Sequence, residues 1–225
     1  MFEDCKSLTT APELPATILT GSCYCGMFQG CNSLTTVPEL PATTLADSCY
    51  YAMFCFCSGL TVVPELPATT LASFCYYYMF NGCTSLTTAP ALPATTLATG
   101  CYSYMFYGCS KLNEITMLAT DISASRCLDY WVSGVAPTGT FIKHPDLTSL
   151  PSGGSGIPNG WTVVDNEKNL ITFTIDGTEY QAEEGMTWAD WYVSNYNSNV
   201  INEDMNPPKY LIYEKLDTCV MTSAG

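Results

Sequence analysis

The chain has 225 residues, enough for one long domain or two short ones with a full core. Charged residues are only 12% of it, about half the usual share, and the net charge is −14. With no basic patch there is no electrostatic footprint for nucleic acid or anionic lipid, so neither is expected as a partner. No apolar run approaches a membrane span, so membrane insertion is not expected either.

In chain order the first feature is a repeat of 26 residues. Met27-Phe28, Met53-Phe54, Met79-Phe80 and Met105-Phe106 fall in register, and Met1-Phe2 extends the series backwards. The chain thus starts in mid-repeat, which predicts that it is a segment of a longer protein. From Ser7 to Ser110 the charged residues are Glu13, Glu39, Asp47 and Glu65, whereas fifteen of the twenty-one acids lie from Glu114 onward. The repeats are almost neutral. A period in the twenties marks a solenoid, because one such unit cannot bury its apolar face alone.

Within a repeat, Leu86-Thr87-Thr88-Ala89 is a β-prone run ended by Pro90, which has no N–H for a ladder. Pro93 follows in an extended turn. From Leu97 to Cys109 the apolar residues Leu97, Cys101, Met105 and Cys109 recur every four positions with Tyr102 and Phe106 beside them. That spacing predicts a helix ended by Gly108 as a left-handed cap. Each repeat is therefore expected to supply one strand and one helix. The predicted fold is an α/β solenoid, a parallel sheet with helices behind it.

Cysteines follow the repeat in two columns, Cys23, Cys49, Cys75, Cys101 and Cys127, and Cys5, Cys31, Cys57, Cys83 and Cys109. A disulfide ladder is one reading. Against it, a helix would hold Cys101 and Cys109 roughly 12 Å apart, beyond a bridge, and thiols stacked in one column point in parallel. Buried free thiols filling a tight interior are the preferred reading.

The elements Cys83-Thr84-Ser85-Leu86-Thr87-Thr88 and Met105-Phe106-Tyr107-Gly108-Cys109 resemble the BspA-like class of leucine-rich repeats of bacterial surfaces and of phages of gut Bacteroidales. The resemblance covers residues 1–135 and implies a leucine-rich repeat solenoid there. Paired prolines, and Met-Phe where Ala-Phe is commoner, depart from that pattern. It also implies an extracellular, cell-surface or virion location, as an adhesin or a phage tail-fibre receptor-binding protein.

After Cys109 charges enter the pattern. Cys127 to Gly134 follows the helix template with Trp131 in place of Met105, as a closing unit would. Residues 136–166 read as a cap and linker, with short strands at Phe141-Ile142-Lys143 and Trp161-Thr162-Val163-Val164 around a Gly/Ser/Pro stretch. Residues 167–225 read as a small α+β module of order ββαβ. Ile171, Phe173 and Ile175 alternate up to an Asp176-Gly177 hairpin turn, Thr187 starts a helix, and Tyr210 to Tyr213 form a strand. That order resembles a β-grasp-like module, and the sequence stops before a closing strand.

Comparing the repeats with one another separates fixed from varied positions. Leu97, Cys101, Tyr102, Met105 and Phe106 have identical counterparts in every copy. Five columns vary: Gly21/Asp47/Ser73/Thr99, Ser22/Ser48/Phe74/Gly100, Cys25/Tyr51/Tyr77/Ser103, Gly26/Ala52/Tyr78/Tyr104 and Gln29/Cys55/Asn81/Tyr107. On a helix, 100, 103, 104 and 107 form one outer stripe. Its Tyr/Ser/Gly/Asn alphabet is that of antibody paratopes. Neutral drift of exposed positions would be expected to admit Lys and Glu, the good surface helix formers. Only Gln29 departs from an alphabet close to that of NNY codons, as diversified columns would show. The candidate binding residues are Tyr51, Phe74, Tyr77, Tyr78, Asn81, Ser103, Tyr104 and Tyr107.

Other columns have plainer readings. Glu13, Glu39 and Glu65 could hold Ca²⁺, but no Asp-Gly loop supports it and a solvated edge is preferred. The Thr35-Thr36 and Thr87-Thr88 rows could bind sugar hydroxyls or be exposed β-formers. His144 is the only histidine, so a Ser-His-Asp or Cys-His site has one possible base. No catalytic residues, cofactor or metal are expected. The expected function is non-enzymatic recognition of a host protein or glycan. The alternative is a structural subunit that uses the same face for homo-oligomer, fibre or virion assembly.

Overall fold

A computed structural model of the chain describes residues 2–166, 170–175 and 178–183. The chain divides into two compact units, Met1–Asn166 and Glu167–Gly225.

The first unit is a stack of 26-residue coils, and its defining element is not a helix. Residues 97–109 and their counterparts form overlapping turns in which hydrogen bonds alternate between two directions. Met53 N–H donates to Tyr50 O (3.2 Å) and Cys55 N–H to Ala52 O (3.1 Å), each three residues back. Between them, Tyr50, Ala52 and Phe54 donate to Cys75, Tyr77 and Met79 O of the next coil (3.0, 2.7 and 2.9 Å). From Gly100 to Cys109 every backbone N–H is used, half locally and half between coils, which satisfies the demand for pairing in a buried backbone. The turns are built by a left-handed residue every fourth position: Phe74 (φ 56), Tyr78 (59) and Gly82 (71), then Gly100 (60), Tyr104 (56) and Gly108 (74).

The expected α/β solenoid of strand-helix units is therefore corrected: the described residues contain strands and no helix. A positive φ every four residues is incompatible with a right-handed helix, and the carbonyls an α-helix would pair i to i+4 serve other donors. Gly108 is left-handed as expected, but it closes a turn and caps no helix.

The opposite side of each coil carries isolated parallel bridges, Thr10 with Thr36, Thr44 with Thr70 and Thr88 with Glu114. Prolines such as Pro90 and Pro93 lack the N–H that would extend these bridges into strands. In three segments that hold no proline, strands form: β1 (Glu114–Met117), β2 (Thr140–Lys143) and β3 (Thr162–Asp165), parallel in the order β1-β2-β3. Phe141 thus lies in β2 opposite Ile115 and Val163.

The fixed residues make ladders through the interior. Phe2, Phe28, Phe54, Phe80 and Phe106 stack with centroids 5.6–5.8 Å apart, and Trp131 and Phe141 close the row. Tyr24, Tyr50, Tyr76 and Tyr102 form a second stack at 5.8–6.0 Å. The thiols of Cys31, Cys57, Cys83 and Cys109 donate to the carbonyls of Phe2, Phe28, Phe54 and Phe80 (2.9–3.2 Å), so each cysteine ties its coil to the one before. The described cysteines are unpaired; in the two columns those from Cys31 to Cys127 are buried, whereas Cys5 and Cys23 are exposed, against the expectation of burial for all ten.

The described part of the second unit is an antiparallel hairpin of β4 (Leu170–Ile175) and β5 (Thr178–Glu183), with Phe173 opposite Tyr180. The expected Asp176-Gly177 turn, the helix from Thr187 and the strand at Tyr210–Tyr213 lie outside the described residues.

Candidate recognition surface

The varied columns sit on the turn side of the coils, and stacking brings their aromatic residues together. Tyr51 stacks on Tyr77 (5.1 Å, 16°), and Tyr78 meets Tyr77 edge-on (4.5 Å, 83°). Tyr78 stacks on Tyr104 (4.8 Å, 25°), and Tyr104 in turn on Tyr130 (5.2 Å, 22°). Phe74 and Tyr107 flank this group, each 5.6–5.8 Å from a tyrosine of the row. Tyr107 and Tyr130 are exposed, and Tyr51, Phe74, Tyr77, Tyr78 and Tyr104 are half-buried against one another. Six of the eight candidate residues thus form one continuous aromatic patch.

The other two are corrected. Asn81 and Ser103 are buried, and their side chains face inward rather than to solvent. The Asn81 side-chain oxygen accepts from the Cys55 thiol (3.8 Å), and the Ser103 hydroxyl donates to the Arg126 carbonyl. Helical spacing placed them on one outer stripe, whereas the turns rotate these two positions toward the interior. They brace the surface from behind.

Three residues were missed. Tyr130 and Arg126 are the next members of the columns of Tyr104 and Gly100, one repeat further on, and were absorbed into a closing unit. Asp129 accepts from Arg126 Nε (2.9 Å) and holds the guanidinium at the end of the tyrosine row. The strict addition of 26 to positions 100 and 104 was the signal that could have found the first two.

The backbone beneath the patch is strained. Phe74, Tyr78, Tyr104, Arg126 and Tyr130 all have φ between 51 and 59, a region where a side chain is unfavourable. Burial and the Tyr77 hydroxyl beside it push the Tyr78 phenol up to about 12, and burial raises Tyr51. These hydroxyls stay protonated at neutral pH, available as donors and acceptors.

No family model matches this chain, nor does any curated protein or solved structure. The likeness to BspA-like repeats stands on the quoted motifs alone.

Elsewhere the surface offers little chemistry. Val37, Pro38, Pro41, Val63, Pro64 and Pro67 line a groove together with Glu39 and Glu65. Among the described residues no group of His, Cys, Asp and Glu could hold a metal ion. His144 accepts the Asp146 N–H at Nδ1 (3.1 Å) in the loop after β2.

Proposed function

We propose that this is a non-enzymatic recognition protein, displayed on a cell or virion surface, that binds its partner through the tyrosine row of the turn face. The observation that carries the reading is where the tyrosines sit. Tyr78, Tyr104 and Tyr130 occupy successive left-handed positions of a column whose first member is Gly26, the unstrained solution. A non-glycine residue there costs roughly 1–2 kcal/mol. Each of the two stacks among them returns about 0.5–1.5 kcal/mol beyond the burial of the rings. The left-handed turns serve the fold, but tyrosine in place of glycine is not needed to make them, and such a choice points to a functional surface. Rigid amphipathic rings are also what concentrates binding energy at interfaces.

The test is a double change, Tyr104→Gly with Tyr130→Gly. Glycine relieves the backbone, so the thermal melt should hold or rise. Binding of the labelled chain to a panel of bacterial and animal cells should be lost. Binding at parental strength would sink the reading. If the parent instead forms large assemblies by light scattering and the variant is monomeric, the face serves self-assembly.

A further inference from the structure

We propose that the tyrosine row takes an acidic polypeptide, with Arg126 as the fork that receives its carboxylate, and does not serve as a platform for stacked sugars. The inference rests on the recognition reading above and deepens it.

Ring geometry argues first. Sugar stacking needs an open aromatic face, and here the faces are turned on one another. Tyr104 is covered on one side by Tyr78 and on the other by Tyr130. Tyr77 has Tyr51 stacked against it and Tyr78, Phe74 and Tyr104 packed around it at 4.5–5.8 Å. Over Tyr77 and Tyr104, at the centre of the row, what is left outward are ring edges and phenol hydroxyls. Ring edges carry the positive side of the quadrupole, and a phenol both donates and accepts. Such a rim suits the carbonyl and carboxylate oxygens and amide N–H groups of a polypeptide.

Arg126 supplies the charge. It is the only arginine in a chain of net charge −14. Asp129 engages its Nε, which orients the guanidinium, and among the described residues neither terminal nitrogen takes part in a hydrogen bond. The side chain is 55% exposed, close enough to Tyr77 and Tyr104 to interact with them electrostatically. A guanidinium anchored at Nε presents a planar pair of donors that matches a carboxylate. Arg126 also holds a left-handed φ of 59, so the chain keeps this side chain where glycine would be easier.

The experiment uses the full chain, immobilised. It is panned against a display library of random linear peptides and probed in parallel on an array of neutral and sialylated oligosaccharides. Enriched peptides should carry Asp or Glu. Arg126→Lys, which keeps the charge but loses the fork, should weaken their binding by about tenfold. Asp129→Asn, which frees the guanidinium, should weaken it less, and Tyr104→Gly/Tyr130→Gly should remove it. Enriched peptides without acidic residues, or ones indifferent to Arg126→Lys, would overturn the proposal. So would oligosaccharides that bind in place of peptides and are lost with the tyrosines; recognition by this face would then still stand. Binders on either arm that ignore the tyrosine changes, or no binders at all, would remove the proposal and the recognition reading together.

Discussion

Gly100 is the residue at which backbone and side-chain demands meet most sharply. Its φ is +60, and the space a Cβ would occupy is filled by the ring of Phe74 from the preceding coil. Gly100→Ala therefore meets two costs, the left-handed backbone and the displacement of a ring, together about 1–3 kcal/mol. The sign of the coupling is predictable. In the background of Phe74→Ala the ring is gone and only the backbone cost remains, so a double-mutant cycle by chemical denaturation should show coupling between the two positions. Simple additivity would mean that the close approach of Phe74 does not matter. The pair also illustrates how the varied columns interact. Phe74 can be large because its successor in the column is glycine, which a position-by-position view of free variation does not reveal.

The element scale is that of the turn segment, where the expected helix failed. The apolar positions Leu97, Cys101, Met105 and Cys109 recur at a spacing of four. A helix turns once in 3.6 residues, so a strict four-residue spacing drifts by about 40° per step and leaves one face after three steps. The turn segment has no such drift, because each four-residue unit ends on a left-handed residue that resets the direction. What the segment shares with a helix is an unbroken inner side. Phe80 lies there, fully buried between Phe54 and Phe106 at 5.7 and 5.8 Å. Phe80→Ala should cost roughly 3–5 kcal/mol, as a large core truncation with little room to collapse. A thermal or denaturant melt reads it, and a loss below about 1 kcal/mol would show that the ladder is not the core.

Across the whole molecule, the same stacking concentrates protonated acids in the interior. Burial pushes the thiols of Cys49 and Cys55 up to about 11 and those of Cys57, Cys101 and Cys109 up to about 12, from an ordinary value of 9.0. The folded state therefore holds these protons after the unfolded chain has released them. Stability is complete below pH 9 and falls as pH rises toward the folded values. Each group contributes about 1.4 kcal/mol per pH unit in that window. Those five thiols alone reach about 7 kcal/mol one unit above 9, comparable with the roughly 5–15 kcal/mol that holds a typical domain folded. The chain should lose its fold between about pH 9 and 11, read by far-ultraviolet circular dichroism. A fold stable through pH 11 would mean that the thiols are not buried in solution.

The sequence by itself determined the period, the neutral repeats, the inward Cys-Phe-Met set and the columns that vary. All are properties of composition at fixed spacing, and a 26-residue echo such as Phe28, Phe54, Phe80 and Phe106 needs no coordinates to be seen. It also carried Tyr51, Phe74, Tyr77, Tyr78, Tyr104 and Tyr107 onto one surface. The tertiary structure decided what sort of coil that spacing makes. Half of the hydrogen bonds in the turn segment run to the next coil, so no window of one repeat contains the partners that stabilise it, and local periodicity defaulted to a helix. For the same reason Asn81 and Ser103 turned inward, while Arg126 and Tyr130 joined the row. Inter-coil bonding and left-handed backbone set the direction of each side chain, and both arise only when neighbouring coils are stacked.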